Sequence, residues 1–260
     1  MRLDAYLAAY GFAASRTRAK NLIESGRVGV DGKTETKPAF DVPENAVVTL
    51  AEPDEEEFVG RGGKKLAAAL EEFGISPQGK ICADIGASTG GFTDCLLQHG
   101  AKKVYALDVG FGQLAASLRS DIRVAVLEHY NARNLEKKDF EEPVDAVVSD
   151  LSFISQRLIY PAVSGVLSPG MPFISLVKPQ FEAGREAVGK GGLVKDRQVH
   201  WRVMQELISE GMKSRLYLSD FCVSPIEGGD GNREYLALFR KDSPCVCDEH
   251  RLKAVIFYDK

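Results

Sequence analysis

The residues best placed for chemistry begin at Asp84. The segment Asp84-Ile-Gly-Ala-Ser-Thr-Gly-Gly-Phe-Thr-Asp94 follows an apolar run and precedes a helical one. At such a junction a nucleotide-like ligand meets backbone amides. Gly86, Gly90 and Gly91 permit tight turns and close approach of a ligand. A dinucleotide fingerprint wants glycine where Ser88 stands, which weighs against NAD. Asp84, ahead of the first glycine, suits an ammonium group better than a pyrophosphate. Asp108 lies 22 residues beyond Gly86, at the end of the next predicted strand. An acid there can accept both hydroxyls of a ribose. The plain alternative is a glycine-rich turn with surface acids, and Asp108 argues against it.

Two further segments end predicted strands. Ser149-Asp150-Leu151-Ser152-Phe153 closes the fourth strand of the larger part of the chain, and Val177-Lys178-Pro179-Gln180-Phe181 closes the fifth. Ligands of open parallel sheets sit beyond the carboxyl ends of strands, so Asp150 is expected to face a pocket rather than only to cap the next turn. A lysine after an apolar run is poorly solvated. Burial favours its neutral amine, which can act as a general base. Taken singly, such a lysine simply pairs with a carboxylate. Lys65, in Gly60-Arg61-Gly62-Gly63-Lys64-Lys65, and Glu234, in Gly231-Asn232-Arg233-Glu234, read alone as surface charges.

The elements that must hold these residues fall into two parts. Residues 80–85, 103–108, 122–127, 144–149 and 171–177 read as strands, alternating with helical stretches near 63–73, 91–98, 112–119, 156–166 and 197–213. This alternation predicts a doubly wound, mainly parallel sheet. Strands at 216–223 and 233–240 are joined by a short glycine-rich turn, so they should run antiparallel to each other. Before residue 52 the pattern differs. Leu3 and Leu7 mark a helix over 2–10 ended by Gly11. Ser15 is expected to cap a second helix that runs to Ser25, with Gly26 beyond it. Arg16, Lys20 and Arg27 would share one stripe if that helix continued far enough. Val28 and Val30 lead into an Asp31-Gly32 hairpin turn, and residues 47–50 form another strand. The expected organisation is a small α+β domain at 1–52, an acidic linker at 53–59, an α/β domain at 60–242 and a tail at 243–260.

Length and composition fit this division. The chain has 260 residues, 44% hydrophobic and 27% charged, with a net charge of −4. Those values suit a globular protein and exclude a globally basic nucleic-acid binder, but not a local basic patch. Residues 1–37 supply one, with seven basic side chains against four acids. Arg2, Arg16, Arg18, Lys20 and Arg27 are its candidate contacts to a phosphate backbone. Five irregularly spaced cysteines do not read as a disulfide framework, so a cytoplasmic location is expected. No apolar run approaches the ~20 residues of a spanning helix, and no membrane partner is expected. Cys245, Cys247 and His250 are too thin a set for a metal site, and none is expected.

The first ~50 residues resemble the small RNA-binding domain named after ribosomal protein S-four, through Arg2-Leu3-Asp4, Ser15-Arg16, Gly26-Arg27-Val28, Val30-Asp31-Gly32 and Lys37-Pro38. Residues 60–240 resemble methyltransferases of the FtsJ type, through RGGKKL, DIGASTGGFTD, ALDVGFGQL, SDLSF, VKPQFE and GNREYLALF. The two parts in this order resemble the TlyA family, whose members are often labelled hemolysins. The resemblance implies a Rossmann-like methyltransferase sheet with an antiparallel last strand, S-adenosyl-L-methionine as cofactor, and ribosomal RNA or ribosomal subunits as partner. The implied reaction is methylation of a ribose 2′-hydroxyl, at cytidine. By motif position it assigns a Lys-Asp-Lys-Glu tetrad to Lys65, Asp150, Lys178 and Glu234. It also places the cofactor at Asp84, Gly86, Ser88, Gly90, Gly91, Asp108 and Asp150, with Asn131 toward the adenine. The alternatives are a membrane-lytic protein, as the label suggests, and a catalytically silent RNA-binding protein.

Overall fold

Local backbone chemistry fixes the elements of the small part. The computed structural model describes residues 1–13, 16–24, 26–51, 58–229, 231–244 and 247–258, without the side chains of residues 18 and 21. Two compact units result, Met1–Glu57 and Phe58–Lys260. In the first, helix α1 (Leu3–Ala9) and helix α2 (Arg16–Glu24) bury Leu3, Leu7, Ala19, Leu22 and Ile23. They cover a small antiparallel sheet of β1 (Val28–Val30), β2 (Lys33–Thr34) and β3 (Val48–Leu50), in the order β2-β1-β3. Asp31 and Gly32 both have positive φ, 49° and 76°, which matches the right-handed twist of the β1–β2 hairpin. The proposed Ser15 cap lies outside the described residues. Helix α2 ends at Glu24, and Gly26 turns the chain at φ 75°. Arg27 therefore leaves the expected stripe, which keeps Arg16 and Lys20.

The second unit opens with Phe58, which is buried although the linker was expected to run to residue 59. Its ring packs in the core with Leu66 and Phe92. Helix α3 (Gly62–Glu72) follows, then β4 (Ile81–Ile85), α4 (Gly91–Gln98), β5 (Lys103–Leu107), α5 (Ala116–Arg119), β6 (Val124–Leu127) and β7 (Ala146–Ser149). Next come α6 (Tyr160–Val166), β8 (Pro172–Val177), α7 (Pro179–Glu182), α8 (Arg197–Lys213), β9 (Leu216–Val223), β10 (Tyr235–Lys241) and α9 (Glu249–Lys253). The strands form one sheet in the order β6-β5-β4-β7-β8-β10-β9. Neighbours from β6 to β8 are parallel, and β10 is antiparallel to both β8 and β9.

Both faces of the sheet are buried. On β8, Phe173 and Val177 enter one apolar cluster, while Ile174 and Leu176 enter the other. This is the period-2 alternation of a strand covered on both sides.

Two expected helices are shorter than predicted. Over 112–119 only Ala116–Arg119 is helical, because the amides of Gly110 and Gly112 donate to Asp108 Oδ1 and Glu128 Oε1 instead. Over 156–166 a 3₁₀ turn, Gln156–Leu158, precedes α6, and Pro161 lacks the amide that would join them. The expected tail folds back. Leu252 and Ile256 are buried in the core, and Arg251 bonds both Glu72 and Asp220.

Candidate active site

The chain runs outward from β4 through β5 to β6 and then returns to β7, on the other flank of β4. That reversal leaves a crevice beyond the carboxyl ends of β4 and β7. Ile85 pairs with Ser149 at the end of this ladder, and the Asp150 amide donates to the Ile85 carbonyl at 3.0 Å. Gly86 follows at φ +85°, where a Cβ would lie 2.6 Å from the Asp150 carbonyl oxygen. Gly90 caps α4 at φ +100°, with the Leu118 side chain where its Cβ would be. The protein itself fills the space that a side chain at Gly86 or Gly90 would take, which is the tight-turn part of the role expected for these glycines. Gly91 packs likewise against Gly63.

Asp84 is fully buried on β4. Its Oδ2 accepts from the Thr93 hydroxyl at 2.7 Å, and its Oδ1 has no hydrogen-bond partner. Burial pushes its pKa up to about 7, the Thr93 bond opposes that rise, and Asp150 adds to it. A desolvated carboxylate short of one donor fits a cationic ligand group. Asp108 accepts from the Ser88 amide at 2.8 Å and from the Gly110 amide at 2.7 Å, one on each oxygen. Each oxygen retains a second lone pair. Ser88 has φ 49°, and its hydroxyl bonds Gln113. Asn131 is exposed, and its Oδ1 accepts from the Arg133 amide at 3.1 Å, leaving its NH₂ outward.

The four tetrad candidates meet as two ion pairs. Lys178 Nζ stands 2.7 Å from Asp150 Oδ1 and donates to Ser152 Oγ at 2.9 Å. Lys65 bonds Glu234, and these side chains are 8% and 2% exposed. The pairs adjoin one another through the sheet. Val177 faces Tyr235 across β8 and β10, so Lys178 and Glu234 are the next residues along these neighbouring strands. On the other side, a Cβ at Gly62 of α3 would lie 3.8 Å from Asp150 Oδ2. Lys65 is buried by α3 and Lys64 is exposed, which separates the two adjacent lysines.

A polar network that the sequence reading did not single out braces this edge. Ser149 Oγ donates to Gln156 Oε1 at 2.9 Å, and Gln156 Nε2 donates to the Leu176 carbonyl at 3.2 Å. Glu182, on the turn after Lys178, accepts from Ser155 Oγ and from the Gln156 amide. These bonds tie together the residues preceding Asp150, Lys178 and α7. Thr93 and Ser152 were also missed as ligands of Asp84 and Lys178. Both lie inside the quoted motifs, nine residues beyond Asp84 and two beyond Asp150.

In the first unit, Arg2 and Arg16 both bond Asp4, at 3.0 Å, while remaining more than half exposed. Lys20 lies 3.6 Å from Glu24, and Arg27 donates to the Ala51 carbonyl at 3.2 Å. The side chain of Arg18 is outside the described set. The unit thus presents several partly neutralised cations on a small scaffold, a surface suited to polyanions.

Comparison with known proteins follows the same division. An FtsJ-like methyltransferase model matches residues 58–241 and an S4 domain model matches residues 1–48. The chain is 44% identical to the 16S/23S rRNA (cytidine-2′-O)-methyltransferase TlyA of Mycobacterium tuberculosis, over 92% of this chain and 89% of that one. A solved structure from Streptococcus thermophilus that carries the name hemolysin is 40% identical, with a TM-score of 0.78 over 98% of this chain and 94% of its own. An S-adenosylmethionine-dependent methyltransferase from Mesorhizobium loti, at 17% identity, shares the fold with a TM-score of 0.50 over 67% of this chain and 96% of its own.

Proposed function

The chain belongs to the FtsJ-like methyltransferase family, in its TlyA branch with an S4 domain ahead of the enzyme unit, and from this we propose how its own residues methylate a ribose 2′-hydroxyl of cytidine in ribosomal RNA. When bound, S-adenosyl-L-methionine supplies a methyl group already activated by a sulfonium centre. Asp84, through its unbonded oxygen, would hold the cofactor's ammonium group. Asp108 would accept its ribose hydroxyls through the lone pairs left by Ser88 and Gly110, and Asn131 would offer its NH₂ to the adenine. The sheet edge around Gly86, Ser88, Gly90 and Gly91 supports this site.

The acceptor is an alcohol and a weak acid, so removing its proton during bond formation lowers the barrier. Lys178 is the base in this reading. Its neutral amine, fixed by Asp150 and Ser152, would accept the proton of the 2′-hydroxyl. Lys65, anchored by Glu234, orients the ribose oxygen. Alignment of acceptor and donor carries most of the rate, since the leaving group needs no further activation. The observation that carries the proposal is the meeting of the Lys178–Asp150 and Lys65–Glu234 pairs at one sheet edge. The first unit, through Arg2, Arg16, Arg18, Lys20 and Arg27, would grip the RNA backbone, and such a substrate places the protein in the cytoplasm.

The test is labelled-methyl transfer to ribosomal RNA, with modified riboses mapped. Lys178→Ala should bind the cofactor as the wild type does and lose about 10²–10⁴-fold in rate. Full activity in that variant removes Lys178 as the base. Among the described residues no helix is long and apolar enough to cross a membrane. A parallel red-cell lysis assay checks the activity named in the hemolysin label, and no lysis is expected.

A further inference from the structure

Beside the Lys65–Glu234 pair lies a second cavity, of about 360 Å³, that the mechanism above leaves unused. It lies within the ~300–1,000 Å³ range of small-ligand sites. Its lining includes Lys195, Arg197 and Arg233, and it reaches Glu234 itself. None of these three cations has a carboxylate partner among the described residues. Two acids oppose them. Glu234 is taken up by Lys65, and Glu227 is exposed at the rim.

The two arginines are held in place rather than left to wander. His200 is buried, and one ring nitrogen, Nε2, faces the Val194 carbonyl at 2.8 Å. That nitrogen must carry the proton, so Nδ1 accepts from the Tyr235 hydroxyl at 2.7 Å. The Tyr235 oxygen then accepts from Arg197 at 3.3 Å. Arg233 donates to the Val255 carbonyl at 3.0 Å and lies over the Tyr235 ring, 5.7 Å from its centre. The Nε–H of Arg233 is buried with no acceptor. Asn232 clamps the wall by bonding the Val194 amide and the Gly192 carbonyl. Two positioned guanidiniums on one cavity wall suit a phosphate oxyanion.

We propose that this cavity is a subsite for the RNA backbone phosphate flanking the acceptor nucleotide, bound by Lys195, Arg197 and Arg233. It rests on the RNA-methyltransferase reading, because its place is set by the neighbouring Glu234. The phosphate grip would fix the register of the strand, so that one ribose reaches Lys178. The first unit supplies affinity elsewhere on the RNA, whereas this subsite selects which sugar is presented.

The experiment measures binding of the full-length protein to ribosomal RNA at increasing KCl. Removing one cation that neutralises a phosphate should lower the log–log salt slope by about 0.7–0.9. Lys195→Ala and Arg197→Gln should each show that drop, with cofactor affinity unchanged and with methylation, mapped on the RNA, spreading to riboses beside the wild-type one. Arg197→Lys should restore most of the slope. Lys195 is exposed, so its variant decides the matter even if Arg197→Gln fails to fold. A wild-type slope in Lys195→Ala overturns the subsite. If the wild type transfers no methyl group to RNA, the enzyme reading fails, and the slopes still report on the cavity by themselves.

Discussion

Each unit of the chain buries an aspartate, and the two are treated in opposite ways. Asp4 in the first unit receives guanidinium donors from both Arg2 and Arg16, and the Arg2 bond, ahead of all other influences, holds its pKa far below the usual carboxylate range. Asp84 in the second unit has a single hydroxyl donor, an oxygen without a partner, and other acids nearby, and its pKa is pushed up to about 7. One acid is saturated by the protein. The other is kept short of a cation. A structural acid organises surface arginines that remain open to solvent, whereas an acid with an open valence stores a preference for a cationic ligand at a cost in stability. The tetrad pairs fall between these cases, being neutralised by each other yet set beside a cavity.

The largest expected effect comes from breaking a buried pair. Glu234→Ala leaves Lys65 desolvated and alone, and should destabilise the second unit by about 3–5 kcal/mol by denaturant titration. The double variant Lys65→Met, Glu234→Leu should recover most of that loss without recovering methyl transfer. If the single variant is as stable as the wild type, the pair carries no buried charge, and its contrast with the surface pairs of the first unit disappears.

The next prediction concerns Asp84. Its folded pKa exceeds its unfolded value of about 3.9, so the stability it contributes is complete below that value and is lost as pH rises through about 7. Asp84→Asn should flatten this fall in the cofactor-free protein and raise stability by a few kcal/mol near pH 8, while weakening cofactor affinity. Melting temperature against pH, with and without cofactor, reads both. An unchanged pH profile would mean that Asp84 is not the strained acid.

The smallest effect belongs to Asp4, and its sign is reversed. Its folded pKa is depressed, so its contribution is present above about pH 4 and lost as pH falls toward the lowered value. Asp4→Asn should cost about 1–2 kcal/mol at neutral pH, because its arginine partners are half in water. Hydrogen exchange over residues 1–51 localises that cost. Loss of stability spread over both units would contradict a purely local role.

Much of this was legible in the chain itself. Apolar runs bounded by glycine and charge marked the central strands β4, β7 and β8, since a strand buried on both faces must be largely apolar along its length. The acids and Lys178 that end β4, β5, β7 and β8 were visible because the end of such a run is where a charge first reaches solvent or ligand. Lys65 and Glu234 were different. Nothing near either residue marks it as buried, and only the family motifs singled them out. Their partnership joins the first helix of the unit to the start of its last strand, and Glu234 comes level with Lys178 because β10 runs antiparallel to β8.

The sequence by itself determined the alternation of elements, the glycine turn after β4 and the residues available for chemistry, because these depend on local periodicity and backbone freedom. The tertiary structure alone decided which lysine meets which carboxylate, that Gly86 makes room for the Asp150 backbone and Gly90 for the Leu118 side chain, and that Lys195, Arg197 and Arg233 share a cavity. Such arrangements depend on strand order and register. Those are set by the packing of the whole core rather than by any stretch of the chain short enough to be read locally.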